Sequence, residues 1–234
     1  MGIKERQVRD RETVRRAILD AARELFVAEG FQNVSIRKIA ERIEYSPAAI
    51  YGYFPSKDDI FFALAEEGFR LLCDRGAAPR ALDQPPSLDR VRGFFQRLYE
   101  FSRDHPQYFA LMFVDRSVPR ISREYERFAF ARDMKGHIVR EIAACIDAGL
   151  LPQSLDPAAA MRMMTVGVIG VAVLRLSERL APGENADDLA ADVLNVTFAG
   201  LQSGVRLQST GHGDCRLEEA AEVGVLAVHR QESR

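Results

Sequence analysis

Apolar side chains recur along this chain at three- and four-residue steps, and no sustained stretch alternates apolar with polar residues. That periodicity predicts helices and argues against strands. The first stripe is Val14, Ile18, Ala21, Ala22, Leu25 and Phe26. It predicts a helix over 10–29, stopped by Gly30. Ahead of it, residues 1–9 are polar and read as a loose arm; Lys4, Arg6, Arg9 and Arg11 lie within reach of a polyanion. Ile36, Ile39, Ala40 and Ile43 then give one apolar face to a second, short helix.

Ser46-Pro47 restarts the chain. A serine accepts a backbone N–H at a helix N-cap, and proline fits the first helical position. Tyr45 stands where it would staple onto Ile50, and the helix should end before Pro55. Ser56, with Asp59 three residues on, caps a further helix over 57–74 whose apolar face is Ile60, Phe61, Ala63, Leu64, Phe69, Leu71 and Leu72. A breaker-rich stretch follows, with Pro79, Pro85 and Pro86. Beyond it the pattern predicts helices over 87–104, 107–113, 120–148, 157–180 and 186–207. The expected fold is all-α: a three-helix head over 1–56, a helical-bundle body over 57–210, and a tail over 211–234 with no assigned role.

Two short helices joined as tightly as those in 35–54 form a helix-turn-helix, whose second helix fits the major groove of duplex DNA. The outward residues suit that use. Pro47, Ala48 and Ala49 make a small-residue helix start that lets base edges come close, and alanine methyls suit thymine methyls. Tyr51, Tyr53 and Lys57 offer donors for phosphate oxygens, and Ser35 and Ser46 mark helix N-termini that favour phosphate. Arg37 is a further base-reading candidate. The plainer reading of the unit is a surface hairpin of two helices; the rival for the whole chain is a helical ligand-binding protein whose head contacts protein rather than DNA.

Composition narrows the picture. The chain has 234 residues, 47% hydrophobic and 28% charged, with a formal net charge of −2. Residues 1–60 hold eleven Lys and Arg against ten Asp and Glu, a net of +1, so any DNA-facing charge is local. Cys73, Cys145 and Cys215 are widely separated, which argues against a disulfide framework or a zinc site and fits a reducing compartment. The charged N-terminus lacks a signal-peptide pattern, so a cytoplasmic protein is expected. The longest apolar run, 163–174, is short for a bilayer and reads as a buried helix. No HExxH, GxSxG or P-loop pattern is present, and neither an enzyme nor a bound cofactor or metal is expected.

The stretch 14–64 resembles the signature of the TetR family of bacterial regulators. The match rests on Leu25-Phe26, Gly30-Phe31, Ser35 with Ile39-Ala40, and Ser46 with Tyr51, Tyr53, Phe54, Ser56 and Lys57. It departs at the turn, where Arg42-Ile43-Glu44-Tyr45 stands for the usual alanine-glycine pair, and at Pro47-Ala48-Ala49. The segment 98–113 is similar to a hydrophobic stretch in one subgroup of the same family. The resemblance implies a homodimer on a palindromic operator, and a body that holds a small inducer. The body's rich supply of aromatic residues and methionine points to an apolar or aromatic effector. The expected pocket residues are Phe95, Tyr99, His105, Tyr108, Phe109, Met112, Met134, His137, Met164 and Val168. The apolar helix around Gly167 and Gly170 must be buried; with Leu174, Leu194, Phe198 and Leu201 it is the expected dimer interface.

Overall fold

The computed structural model describes residues 3–74, 84–119 and 129–209, and the side chains of 5–73, 84–119 and 132–209. The regular elements among these are all helical. The tail, with His212, Asp214 and Cys215, lies outside the described residues, as does the first part of the helix expected from 120.

Four helices build the head: α1 (Ile3–Glu29), α2 (Ile36–Arg42), α3 (Pro47–Tyr51) and α4 (Lys57–Asp74). The arm expected to be loose is helical from Ile3, continuous with α1. Arg6–Asp10 and Arg15–Glu12 pairs run along its exposed surface. Gly30, at φ 83, ends α1 in a backbone region that glycine enters without penalty, and the chain turns through Phe31–Asn33. Ile18, Phe26, Ile39, Ile50 and Phe61 are almost wholly buried. Phe31 sits between Phe26 and Phe61, with ring centroids 5.0 and 5.7 Å away. Each such side chain contributes roughly 1.5–3 kcal/mol.

The body comprises α5 (Leu88–Asp104), α6 (Pro106–Phe109), a π-helical turn (Ala110–Val114), α7 (Ala129–Asp147), α8 (Pro157–Leu176) and α9 (Ala186–Gln202). Ser87 caps α5, Asp156 caps α8 and Asn185 caps α9, each accepting backbone N–H groups of the first turn. The segment expected as one helix after His105 thus splits in two. The π turn is marked by Asp115 N–H donating to the Ala110 carbonyl at 2.8 Å. Helix α8 ends four residues earlier than expected, because Glu178 takes a left-handed φ of 54.

Helix α4 joins head to body without a break. Ile60, Phe61 and Leu64 belong to the head core, whereas Phe69 meets Phe113 of the body, ring centroids 6.4 Å apart. At Gly68 a side chain would strike the Met112 sulfur, so the glycine sets how closely the π turn seats on α4. Polar contacts tie the same seam. Arg16 of α1 forms two bonds to the Glu67 carboxylate, at 2.7 and 2.8 Å, and Arg23 donates to the Tyr108 hydroxyl at 2.8 Å. The Phe31 N–H and the Gln32 amide donate to Ser117. The expected boundary at 57 therefore falls on the first residue of a helix shared by both parts.

Helix α8 packs on α9, α5 and α7. It is long and apolar enough to cross a bilayer, but that test is also passed by the core helices of soluble proteins. The expectation that it is buried all round fails. Met164, Val168, Val171 and Ala172 are buried, while Met163, Val166, Gly170 and Leu174 form an exposed stripe.

Candidate nucleic-acid interface

Local chemistry fixes the geometry of the α2–α3 unit. Ser35 Oγ accepts the Lys38 N–H, and Ser46 Oγ accepts the Ala49 N–H, each at 3.2 Å. Pro47 fills the first turn of α3. The link between the helices is tight because Glu44 adopts φ 60, the conformation that the family's usual glycine would take at no cost. The Tyr45 N–H then bonds the Ala40 carbonyl at 2.9 Å. Tyr45 itself is 45% exposed and follows the left-handed Glu44. Ser56 and Asp59 form the expected reciprocal cap of α4, with Ser56 Oγ donating to the Asp59 carboxylate at 2.6 Å and accepting the Asp59 N–H at 3.1 Å.

The predicted contact residues reach solvent to different degrees. Ser35, Arg37, Ser46, Pro47, Ala48 and Tyr51 are exposed, and Ala49 and Tyr53 are half-buried. Among the described residues Arg37 is held only by an exposed pair with Glu41, 2.8 Å away, an interaction worth under about 1 kcal/mol. Its guanidinium is free to exchange that carboxylate for a phosphate or a base edge. Lys57 differs from its expected role as a simple phosphate donor. Its ammonium donates to the carbonyls of Phe31 at 2.7 Å and Val34 at 2.9 Å, and lies 4.1 Å from the Phe31 ring centroid. Burial pushes its pKa below the usual lysine value. Two of its three donors therefore clasp the α1–α2 connection, leaving one for DNA.

Two arginines of α1 join the α2–α3 unit through tertiary contact. Arg11 donates to the Gly52 carbonyl at 3.4 Å and stacks over Tyr53, and Arg15 stacks over Phe54. Arg11 was legible as a cation near the head; Arg15 carried no motif signal, because its position depends on α1 crossing the α3–α4 corner.

In the body, the expected pocket residues separate. Tyr108, Phe109 and Met112 are buried around the π turn, and Phe95, Met164 and Val168 are core residues; Met134 packs against them. Tyr99 donates its hydroxyl to Asp187 at the start of α9, 2.7 Å away, so it braces α5 on α9. Burial, aided by that carboxylate, pushes its phenol up to about 12. His105 is half-buried between the rings of Phe101 and Tyr108. His137 is exposed and bonded to Arg140 three residues on, at 2.9 Å, so it is withdrawn as a pocket residue. Its polar ring lies on an exposed face of α7.

The expected dimer residues also divide. Leu194, Phe198 and Leu201 are 1–3% exposed and belong to the chain's own core. At Gly167 an added Cβ would lie 2.6 Å from Val193 Cγ1, so this glycine serves the internal α8–α9 contact. These four are corrected from interface to core, because the inward face of a two-helix pair carries the larger side chains. Gly170 has nothing within 4 Å of its added Cβ, and Leu174 is exposed. They share the outer surface with Val166, 62% exposed, and Val196 of α9, 72% exposed.

A helix-turn-helix head carried on an all-helical body defines a class of DNA-binding regulators. Residues 18–64 match the tetR family of bacterial regulatory proteins, and residues 91–197 match the tetracyclin repressor-like C-terminal domain. The chain belongs to the TetR family. An HTH-type transcriptional repressor of Mycobacterium tuberculosis is 43% identical over 53 residues, 23% of this chain and 28% of the relative. A second HTH-type transcriptional repressor, from Streptomyces coelicolor, is 25% identical over 142 residues, 59% of this chain and 66% of the relative. The chain thus spans from about a quarter to just under two thirds of these curated relatives. The fold is shared with the regulator FadR of Bacillus subtilis, solved in complex with stearoyl-CoA, at a TM-score of 0.61 and 15% identity; that likeness covers 81% of this chain and 98% of FadR.

Proposed function

We propose that this protein is a transcriptional repressor that binds a two-fold-symmetric duplex operator as a homodimer and is released by a small apolar or aromatic effector. The observation that carries the reading is the exposed start of α3, Pro47-Ala48, together with the exposed Arg37 and Tyr51 and with Arg11 of α1 held against Gly52 and Tyr53. Small residues there admit base edges, and the donors around them suit phosphates. The exposed stripe of Met163, Val166, Gly170 and Leu174, continued by Val196, supports pairing of two copies, since apolar surface of this kind is stabilised by cover. Two copies related by a two-fold axis present two α3 helices to successive turns of one groove. The apolar residues Phe95, Phe109, Met112, Met134, Met164 and Val168 supply walls for the effector. The stearoyl-CoA bound by FadR supports a small-molecule effector on this fold.

Release requires that the effector favour one of two head separations. Helix α4 is the lever, because it carries head core at one end and meets the π turn at Gly68. The test is selection from a random duplex library, followed by anisotropy titration at several salt concentrations. The expected result is a palindromic consensus and log–log affinity falling with salt at a slope of about −0.9 per neutralised phosphate. Salt-independent binding, or no enriched palindrome, would overturn the reading.

A further inference from the structure

The arginines of the helical body are mostly matched to acceptors. Arg90 meets Glu141 at 3.0 Å, Arg92 meets Asn195 at 2.6 Å and lies over Phe198, and Arg175 donates to the Ser102 carbonyl at 2.6 Å. Arg97 is different. It is half-buried on α5, and its Nε, like that of Arg175, is shielded from solvent and meets no acceptor; unlike Arg175, whose terminal nitrogen reaches Ser102, Arg97 forms no side-chain hydrogen bond among the described residues. Among the described residues none forms an ion pair with it; Glu100, one turn on, and Cys73 of α4 are the groups near enough to act on its charge. Burial lowers its pKa, because the charged form gives up part of its water, and Glu100 and Cys73 offset this only in part.

The surroundings show where this charge sits. Gly93 lies one turn before Arg97, and a Cβ there would come 3.2 Å from Arg97 Nη1, so the glycine gives the guanidinium room to lie along the helix. Arg90, one further turn back on the same face, reaches α7 through Glu141, while Arg97 itself neighbours Cys73 near the end of α4. The unmatched cation therefore lies along α5, toward the end of α4. Phe94 and Phe101, on the adjoining turns, are buried apolar neighbours along the helix.

A half-buried guanidinium without an acceptor is costly, and a ligand that brings its own negative charge removes that cost. We propose that the effector is an amphipathic organic anion: its carboxylate is received by Arg97, and its apolar part is covered by the aromatic body. This rests on the reading of the body as an effector-binding domain and adds the charge of the ligand to it. A planar guanidinium takes a carboxylate through two parallel N–H bonds, which a hydroxyl cannot reproduce.

The experiment uses the full chain, Arg97→Met and Arg97→Lys. Ligand-free melting is recorded first. Calorimetric titration follows with hexanoate, decanoate, the matching alcohols, and acetate as a carboxylate without a tail. Ligand-free Arg97→Met should melt above the parent, because it removes a charge with no partner. At least one long carboxylate should bind the parent about tenfold or more tighter than its alcohol. That ratio should fall to near one in Arg97→Met and persist in part in Arg97→Lys. A lower melting temperature for Arg97→Met, equal binding of acid and alcohol, no binding of either long carboxylate, or acetate binding as tightly as decanoate would each overturn the proposal. Equal binding with operator release intact sinks only the charge of the effector. A parent chain that ignores duplex DNA sinks the regulator reading instead.

Discussion

Gly167 and Gly170 stand one turn apart on α8 and make opposite predictions. Gly167 faces α9, where an added Cβ would lie 2.6 Å from Val193 Cγ1. Carbon atoms settle near 3.5–4.0 Å, so Gly167→Ala must push the helices apart by about 1 Å. Valine has little rotamer freedom with which to yield. Overpacking of this size costs about 2 kcal/mol, and replacing glycine in a helix returns about 1 kcal/mol. The net loss of about 1 kcal/mol lowers the melting temperature by about 2–4 °C in a chain of this size. Gly170 has open space above it. Gly170→Arg should leave the subunit folded, since its own chain offers nothing to clash with and helix propensity improves. At a two-fold contact, however, it sets two unpaired guanidiniums in apolar surroundings. A penalty of about 3 kcal/mol weakens the dimer more than a hundredfold. Sedimentation over a dilution series, with circular dichroism and thermal melts, reads both changes. A folded Gly170→Arg dimer of parental affinity would refute the placement of the interface. A Gly167→Ala variant that melts above the parent would refute the internal role of that glycine.

Three further outcomes are expected. Lys57→Met removes two charge-assisted carbonyl contacts at the α1–α2 connection and should cost about 2 kcal/mol of stability, read as a lower urea midpoint; an unchanged midpoint would show that Lys57 serves DNA alone. Glu44→Gly relieves a left-handed residue and should raise the thermal midpoint, by about 1 kcal/mol of stability; a midpoint at or below the parent's would refute the strain at Glu44. The Tyr99 phenol is held up to about 12, by burial first and by Asp187 second, against about 10 for an unfolded tyrosine. The folded chain keeps this proton where the unfolded chain loses it, so this contribution is whole below pH 10 and fades as pH rises toward 12. Tyr99→Phe should flatten that alkaline limb of stability against pH, and an unaltered limb would assign it to other groups.

Local spacing alone set the helical class, the caps at Ser35, Ser46 and Ser56, and the exposure of Pro47-Ala48 and Tyr51. These depend on residues within a few positions of one another, where spacing and side-chain chemistry fix the geometry. The TetR resemblance was legible for the same reason, because its motif is a string of such local demands. What lies across the chain was decided by tertiary structure. The apolar faces of α8 and α9 were visible, but which side turns inward depends on their mutual rotation, which placed Leu194, Phe198 and Leu201 inside and left Val166 and Val196 outside. Lys57 looked free until folding brought the carbonyls of Phe31 and Val34 beneath it. Arg97 carried no motif at all. Its lack of an acceptor emerges only when α4 packs on α5, because burial and hydrogen-bond partnership belong to the packed chain and have no counterpart in residue order.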